Sequence, residues 1–264
     1  MNISHDGSLY LSRLLLNPRS RQVMSEMAHP YEMHRTLMRA FPNMKGQTEA
    51  KARETFGVLF RAETDEKKRL VKVYVQSLTE PDWSFFGGLN GYLCDGTEEL
   101  AYEHKDIWPT WQKLQSGQIL SFRLRANPTK RIAKEGDPLK GKRVQLRLED
   151  DQIAWLLRKG REMGKDMPGG FDLLTKKVSD GQGNEFLVPR VHVIPEGKYT
   201  GRKKDETVGR STTHFAVHFE GLLQVTDPEA FRQTLIRGIG SGKAFGFGLL
   251  SVAPAGLMDS RSSL

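Results

Sequence analysis

The sequence predicts an α+β protein, and three observations carry that expectation. In the second half of the chain, strand, helix, strand, strand, helix and strand follow one another, which is the ferredoxin-like (RRM-like) βαββαβ order. The first half gives strand, helix, strand and strand before the pattern blurs. Within the second half, residues 120–147 alternate apolar and basic side chains around two turns, as a two-stranded arm would. The expectation is two tandem ferredoxin-like domains with a basic β-hairpin arm, divided at residues 1–117 and 118–264. A length of 264 residues is enough for two such domains.

Each element has a local reason. Tyr10 to Asn17 (YLSRLLLN) reads as a strand ended by Pro18. Pro30 stands where a helix would start, with Tyr31 to Ala40 as its body and Pro42 beyond its end. Thr55 to Ala62 and Leu70 to Ser77 are strand-like runs joined by the charged turn Glu63 to Arg69. Residues 81–117 mix Trp83, Phe85, Phe86, Tyr92, Trp108 and Trp111 with glycines and acids. They are expected to be irregular, with one helix near Glu98 to Lys105. Ile119 to Ala126 is a strand that leads into the arm. Glu149 to Gly164 is a helix, with Ile153, Leu156 and Leu157 as its apolar face. Phe186 to Ile194 and Thr212 to Val225 are strands. Asp227-Pro228 opens a helix by N-cap and first-turn proline, with Phe231, Leu235 and Ile236 inward. Phe245 to Val252 is the last strand.

The composition narrows the function. Forty Lys+Arg against 32 Asp+Glu give a net charge of +8, which favours anionic partners, nucleic acid first. The excess is concentrated. Arg123, Arg125, Lys130, Arg131, Lys134, Lys140, Lys142, Arg143 and Arg147 against Glu135 and Asp137 make residues 120–147 net +7, and the rest of the chain only +1. A strand pair with one packed face and one basic face can enter a groove or track phosphates. The alternative reading of such a cluster is a solvated loop. It applies with more force to a second cluster, Lys198, Arg202, Lys203, Lys204 and Arg210. Cys94 is the only cysteine, which excludes an internal disulfide and a multi-cysteine zinc site. No run reaches the about 18 apolar residues of a membrane helix, and Met1 to Tyr10 lacks the pattern of a secretory signal. The expected location is the cytoplasm.

Two segments could carry chemistry. Gly238 to Gly248 reads GIGSGKAFGFG. The spacing is one residue short of a P-loop, and Ala244 stands where that motif needs Ser or Thr. A dinucleotide fingerprint would have to open a helix, whereas these glycines follow one. What remains is a loop whose N–H groups around Gly240 and Gly242 approach phosphate, helped by Lys243, or a tight helix-to-strand turn. The two readings are compatible. Among the seven histidines, no spacing suits a metal, so no metal and no other cofactor is expected. His34 stands apart by its neighbours, in His29-Pro30-Tyr31-Glu32-Met33-His34-Arg35. Tyr31 and His34 are i and i+3 near a helix N-terminus, beside Arg35. Phenol, imidazole and guanidinium there suit a phosphate under attack, although an ordinary helical histidine is the alternative.

The segments YLSRLLLNP, HPYEMHRTLMRAF and GIGSGKAFGFGLLSV, with LSFRLRANPTK and GKRV between them, resemble the CasE family. These are the CRISPR-RNA-processing endoribonucleases of the type I-E Cascade complex, within the RAMP superfamily. The resemblance spans residues 9–253 and itself implies two ferredoxin-like domains. It implies that His34 is the catalytic histidine, that Tyr31 is the active-site tyrosine and that Gly238–Gly248 is the glycine-rich loop of the superfamily. It also implies that 123–147 is the hairpin region gripping the RNA stem. The expected activity is metal-independent cleavage of precursor RNA at the base of the repeat stem-loop, with Arg35 stabilising the phosphate. The expected partners are the CRISPR repeat stem-loop and other Cascade subunits, with no membrane and no small-molecule substrate. An inactive RNA-binding scaffold of the same complex is the alternative from another class.

Overall fold

The computed structural model describes residues 7–44, 46–94, 99–133, 141–162, 164, 167–202 and 211–255. The chain divides into two compact units. The first comprises Met1–Lys113, Tyr199–Thr213 and Gly242–Leu249. The second comprises Leu114–Lys198, His214–Ser241 and Leu250–Leu264.

In the first unit the elements are β1 (Tyr10–Leu16), α1 (Arg21–Ala28), α2 (Pro30–Met38), α3 (Glu49–Thr55), β2 (Leu59–Asp65) and β3 (Leu70–Ser77). A 3₁₀ turn (Trp83–Gly88), β4 (Tyr102–Asp106) and α4 (Trp108–Trp111) complete it. The strands form one antiparallel sheet in the order β2-β3-β1-β4, the ferredoxin-like order. Strand β3 sits inside the sheet and is buried at every position but Tyr74, as its run of Val and Leu requires. Leu14, Leu16, Val71, Val73 and Val75 of the sheet meet Val23, Met33 and Leu37 of α1 and α2, with Trp83, Phe86 and Tyr92 closing the core. The Trp83 indole N–H donates to Ser12 Oγ at 3.0 Å, so the largest ring of this core also satisfies its polar atom.

Two expectations for this unit are corrected. Residues 55–58 end a helix and turn, and the strand begins only at Leu59. Thr48, whose hydroxyl caps Lys51 N–H at 3.3 Å, starts α3. The segment expected as a helix near Glu98 to Lys105 contains strand β4, paired to β1 from Tyr10↔Asp106 to Leu14↔Tyr102. Its Glu, Ala and Lys favour a helix, but pairing with the open edge of β1 outweighs that weak preference.

The remaining elements, which lie mostly in the second unit, are β5 (Ile119–Ala126), β6 (Thr129–Arg131), β7 (Arg143–Gln145), α5 (Glu149–Arg161), β8 (Phe171–Leu173) and β9 (Thr175–Ser179). They continue with β10 (Glu185–Pro189), β11 (Val191–Arg202), β12 (Ser211–Val225), α6 (Pro228–Arg237) and β13 (Leu250–Pro254). The main sheet runs β11-β12-β5-β13, again the ferredoxin-like order, with β8 added beside β12. The apolar period of β12 was legible: Val217, Phe219, Leu223 and Val225 are wholly buried. Trp155 of α5 stacks on Phe219 at 6.1 Å, and Phe171 meets Phe231 of α6 edge-on at 5.6 Å.

Three details differ from the sequence reading. Of the expected face of α5, Leu156 is buried, but together with Gln152, Trp155 and Gly160, while Ile153 and Leu157 are only half-buried. The run 186–194 is two strands separated at Arg190, because β10 pairs with β9 as a separate hairpin while β11 joins the main sheet. Residues 245–249 are turn, and β13 starts at Leu250.

Candidate active site and nucleic-acid surface

Helix α2 starts as its sequence requires, with Pro30 in its first turn and Glu32 near the positive end of the helix dipole. Pro30, Tyr31, Met33, His34, Thr36 and Leu37 are buried, a stripe wide enough to pack against the sheet and still carry the two candidate groups. His34 is only 1% exposed, and its ring stacks on Phe60 of β2 at 6.3 Å with an 11° interplanar angle. The Tyr31 ring lies 5.9 Å from the His34 ring and 5.6 Å from that of Phe245. Phe245 ends a short 3₁₀ turn, Lys243–Phe245, in the glycine-rich segment. Two motifs more than 200 residues apart in sequence thus meet within the first unit. Arg61 ties the same segment to β2, donating to the Leu249 carbonyl at 3.3 Å while pairing with Glu63 at 2.6 Å.

The glycines have a conformational reason. Gly242 and Gly246 bracket the turn in the left-handed region, at φ 80° and 75°, where any side chain would be strained. The structure therefore realises the tight-turn reading, with Lys243 half-buried at its start. Gly240, also at positive φ, belongs to the second unit, where an added Cβ would lie 3.2 Å from the Trp155 ring.

Glu49, which was not singled out from the sequence, completes the Tyr31 surroundings. The Tyr31 phenol donates to Glu49 Oε2 at 2.5 Å, and Arg35 Nε lies 3.4 Å from Glu49 Oε1. Arg35 also meets Glu32 at 3.4 Å, one turn back on the same helix. The sequence signals only the start of α3, in Thr48 followed by an acid, and not that Glu49 reaches Tyr31.

A second missed residue holds α2 from behind. Glu26 of α1, 4% exposed, accepts from Gln22 Nε2 at 2.8 Å, Thr36 Oγ1 at 2.7 Å and the Tyr92 hydroxyl. Burial, and then the charge of Glu26, push the Tyr92 phenol well above its ordinary pKa, so it stays a donor.

The expected nucleic-acid residues fall into two groups. Lys130, Arg131, Lys142 and Arg143 are exposed on the β6–β7 hairpin, where Thr129↔Gln145 and Arg131↔Arg143 set the register. Arg123 and Arg125 lie on β5 inside the main sheet. Each is in an ion pair at 2.6 Å, with Glu220 and Glu196 respectively, and His218 lies 3.0 Å from Glu220 and 3.5 Å from Glu196. Lys134 and Lys140, like Lys203, Lys204 and Arg210, lie outside the described residues. Among the described residues, no three His, Cys, Asp or Glu side chains are grouped as metal ligands would be.

Comparison with known proteins decides the family. Residues 9–254 match the model of a family described as CRISPR associated protein. Over 247 residues the chain is 40% identical to the CRISPR-associated endoribonuclease Cse3 of Thermus thermophilus, covering 93% of this chain and 100% of that one. The chain belongs to the CasE family of CRISPR-associated endoribonucleases. It is also 36% identical over 150 residues to the Cascade subunit CasE of Escherichia coli, covering 54% of this chain and 61% of that one. Among solved structures, Cse3 bound to a 19-nucleotide RNA matches with a TM-score of 0.68 at 39% identity, covering 93% of this chain and all of that one. Thermus thermophilus Cse3 bound to an RNA representing a pre-cleavage complex matches with a TM-score of 0.66 at 37% identity, covering 94% of this chain and all of that one. As in other family members, the two sheets are tandem ferredoxin-like domains.

Proposed function

We propose that this CasE-family chain is the endoribonuclease that cuts CRISPR precursor RNA at the base of the repeat stem-loop and keeps the product as a Cascade subunit. The observation that supports this most is the meeting of Tyr31 and His34 with the glycine-rich turn, on a family member with 40% identity to an endoribonuclease. Chemistry comes from residues 1–117 together with the glycine-rich turn of the first unit, and the stem grip from the arm in residues 118–264. In the first unit no apolar residue could replace Tyr31, His34 and Arg35 and still offer a proton carrier and a cation.

The reaction is an internal transesterification. The ribose 2′-OH gives up its proton to a base, and its oxygen attacks the adjacent phosphorus. The bond from phosphorus to the 5′-oxygen breaks, and that oxygen takes a proton from an acid. A 2′,3′-cyclic phosphate and a 5′-OH result. An ordinary imidazole, with a pKa of about 6.5, can fill either proton role near neutral pH. His34 takes one role and Tyr31 shares the transfer. Arg35 offsets the charge that develops on the phosphate. Lys130, Arg131, Lys142 and Arg143 neutralise stem phosphates from the arm. Lys243 and the N–H groups of its turn serve the phosphates nearer the cut. The work is cytoplasmic; among the described residues no helix is long and apolar enough to cross a membrane.

The test is one incubation of a CRISPR-repeat hairpin RNA with the protein and EDTA, followed by analysis of the product ends. A single cut leaving a cyclic phosphate is the expected result. Tight binding without a cut would assign the chain to the scaffold role, and cleavage stopped by EDTA would overturn the metal-free route.

A further inference from the structure

We propose that the Glu49 carboxylate holds the place of the scissile phosphate in the free protein, and that RNA must displace it before the cut. This rests on the reading above, in which Tyr31 and Arg35 face the reacting phosphate. Both groups that Glu49 engages are anion donors, a phenol O–H at 2.5 Å and a guanidinium Nε at 3.4 Å. They contact different oxygens of the one carboxylate. A phosphodiester offers the same pattern, two non-bridging oxygens sharing one negative charge. A carboxylate and a phosphate at one pair of donors would repel each other, so occupancy by one excludes the other.

The rest of the local structure permits the exchange. Helix α3, which carries Glu49, buries none of its residues. The Glu49 side chain is 36% exposed, so water is at hand to solvate it when it leaves. Arg35 keeps Glu32 as a second partner at 3.4 Å and is not stranded during the exchange. The consequence is selectivity. An RNA that engages only the cut site gains little, because it trades one anion for another. An RNA that also binds the arm brings stem-binding energy with which to expel Glu49.

The experiment uses the full chain and a repeat hairpin made uncleavable by a 2′-deoxyribose at the attacking position. Affinity is measured for wild type, Glu49→Gln and Glu49→Ala. Both variants should bind about threefold to tenfold more tightly, the gain expected from removing one like charge at a half-exposed position. Cleavage of the normal hairpin at limiting protein should rise by the same factor. A stem RNA that ends before the scissile phosphate should bind all three proteins equally. Unchanged affinity for the uncleavable hairpin would overturn the proposal. So would a gain that extends to the stem-only RNA, which would mark a general charge effect. A lower saturating cleavage rate at unchanged affinity would make Glu49 a positioning residue for Tyr31 instead. Failure of wild type to cut the normal hairpin would overturn the endoribonuclease reading itself, whatever Glu49 does.

Discussion

Helix α2 and the β6–β7 hairpin are both expected to face RNA, yet they are built in opposite ways. On α2, His34 is buried against Phe60, and Tyr31 is held among His34, Phe245 and Glu49. On the hairpin, Lys130, Arg131 and Arg143 are exposed on strands of three residues each, with Lys142 just before the second strand. Proton transfer requires atoms held within a fraction of an ångström, so its groups are fixed by packing. Neutralising phosphates requires only charge within a Debye length, so flexible side chains serve. The contrast makes His34→Ala the largest effect expected. Single-turnover cleavage should fall about 10²–10⁴-fold, while affinity for an uncleavable hairpin should stay within about twofold of wild type. A proportional loss of both would erase the distinction between the two regions.

The next effect tests whether α2 depends on packing. Glu26 is a buried carboxylate that accepts from Thr36 of α2 and from Tyr92. Glu26→Ala would leave two buried hydroxyls without that acceptor, at a cost of about 2–5 kcal/mol. Urea denaturation should show a matching loss, and cleavage should fall with the folded fraction. Replacing the hairpin cations should leave the urea midpoint where it was.

The same contrast explains what could be read from the sequence. The hairpin announced itself, because alternation of charge with Val144 and Leu146 is a local pattern. Strands β1, β3 and β5 were legible as short apolar runs bounded by turns, and β12 through its period-two burial. The α2 site was only half legible. Pro30, Tyr31, His34 and Arg35 share one short stretch, but Phe60, Phe245 and Glu49 reach it through the fold, and nothing local links them to it. Strand β4 was misread because its residues, all exposed, carry no burial pattern and owe their conformation to β1. The missed Glu26 shows the same limit, since a buried acid in an amphipathic helix looks in sequence like a surface one.

The hairpin itself offers the third effect. Replacing Lys130, Arg131, Lys142 and Arg143 together by Ala should weaken stem binding and flatten the plot of log affinity against log salt. Each phosphate contact contributes a slope of about 0.7–0.9, so the loss should approach 3 if all four neutralise phosphates. The cleavage rate at saturating protein should change far less than in His34→Ala. A slope that does not move would remove the hairpin from the RNA surface.

The smallest effect separates the hairpin cations from Arg123 and Arg125, which stand on the sheet. Glu220 is held down to about 2 from an ordinary 4.5, first by its hydrogen bond with His218 and then, against the opposing effect of burial, by Arg123. Glu196 moves the same way: burial alone would raise it, but the His218 hydrogen bond and Arg125 outweigh that. A carboxylate with a depressed folded-state pKa stabilises the fold above its unfolded pKa, and that contribution disappears as pH falls through the folded value. The second unit should therefore lose stability as pH falls from about 4.5 to about 2, with no contribution from Glu220 to pH dependence above that window. Glu220→Gln should flatten this acid limb in urea midpoints measured across the range, and adding Glu196→Gln should flatten it further. The hairpin variant should retain the full limb, because its cations stand apart from these acids. An acid limb as steep in Glu220→Gln as in wild type would show that the Arg123 pair contributes nothing to the fold.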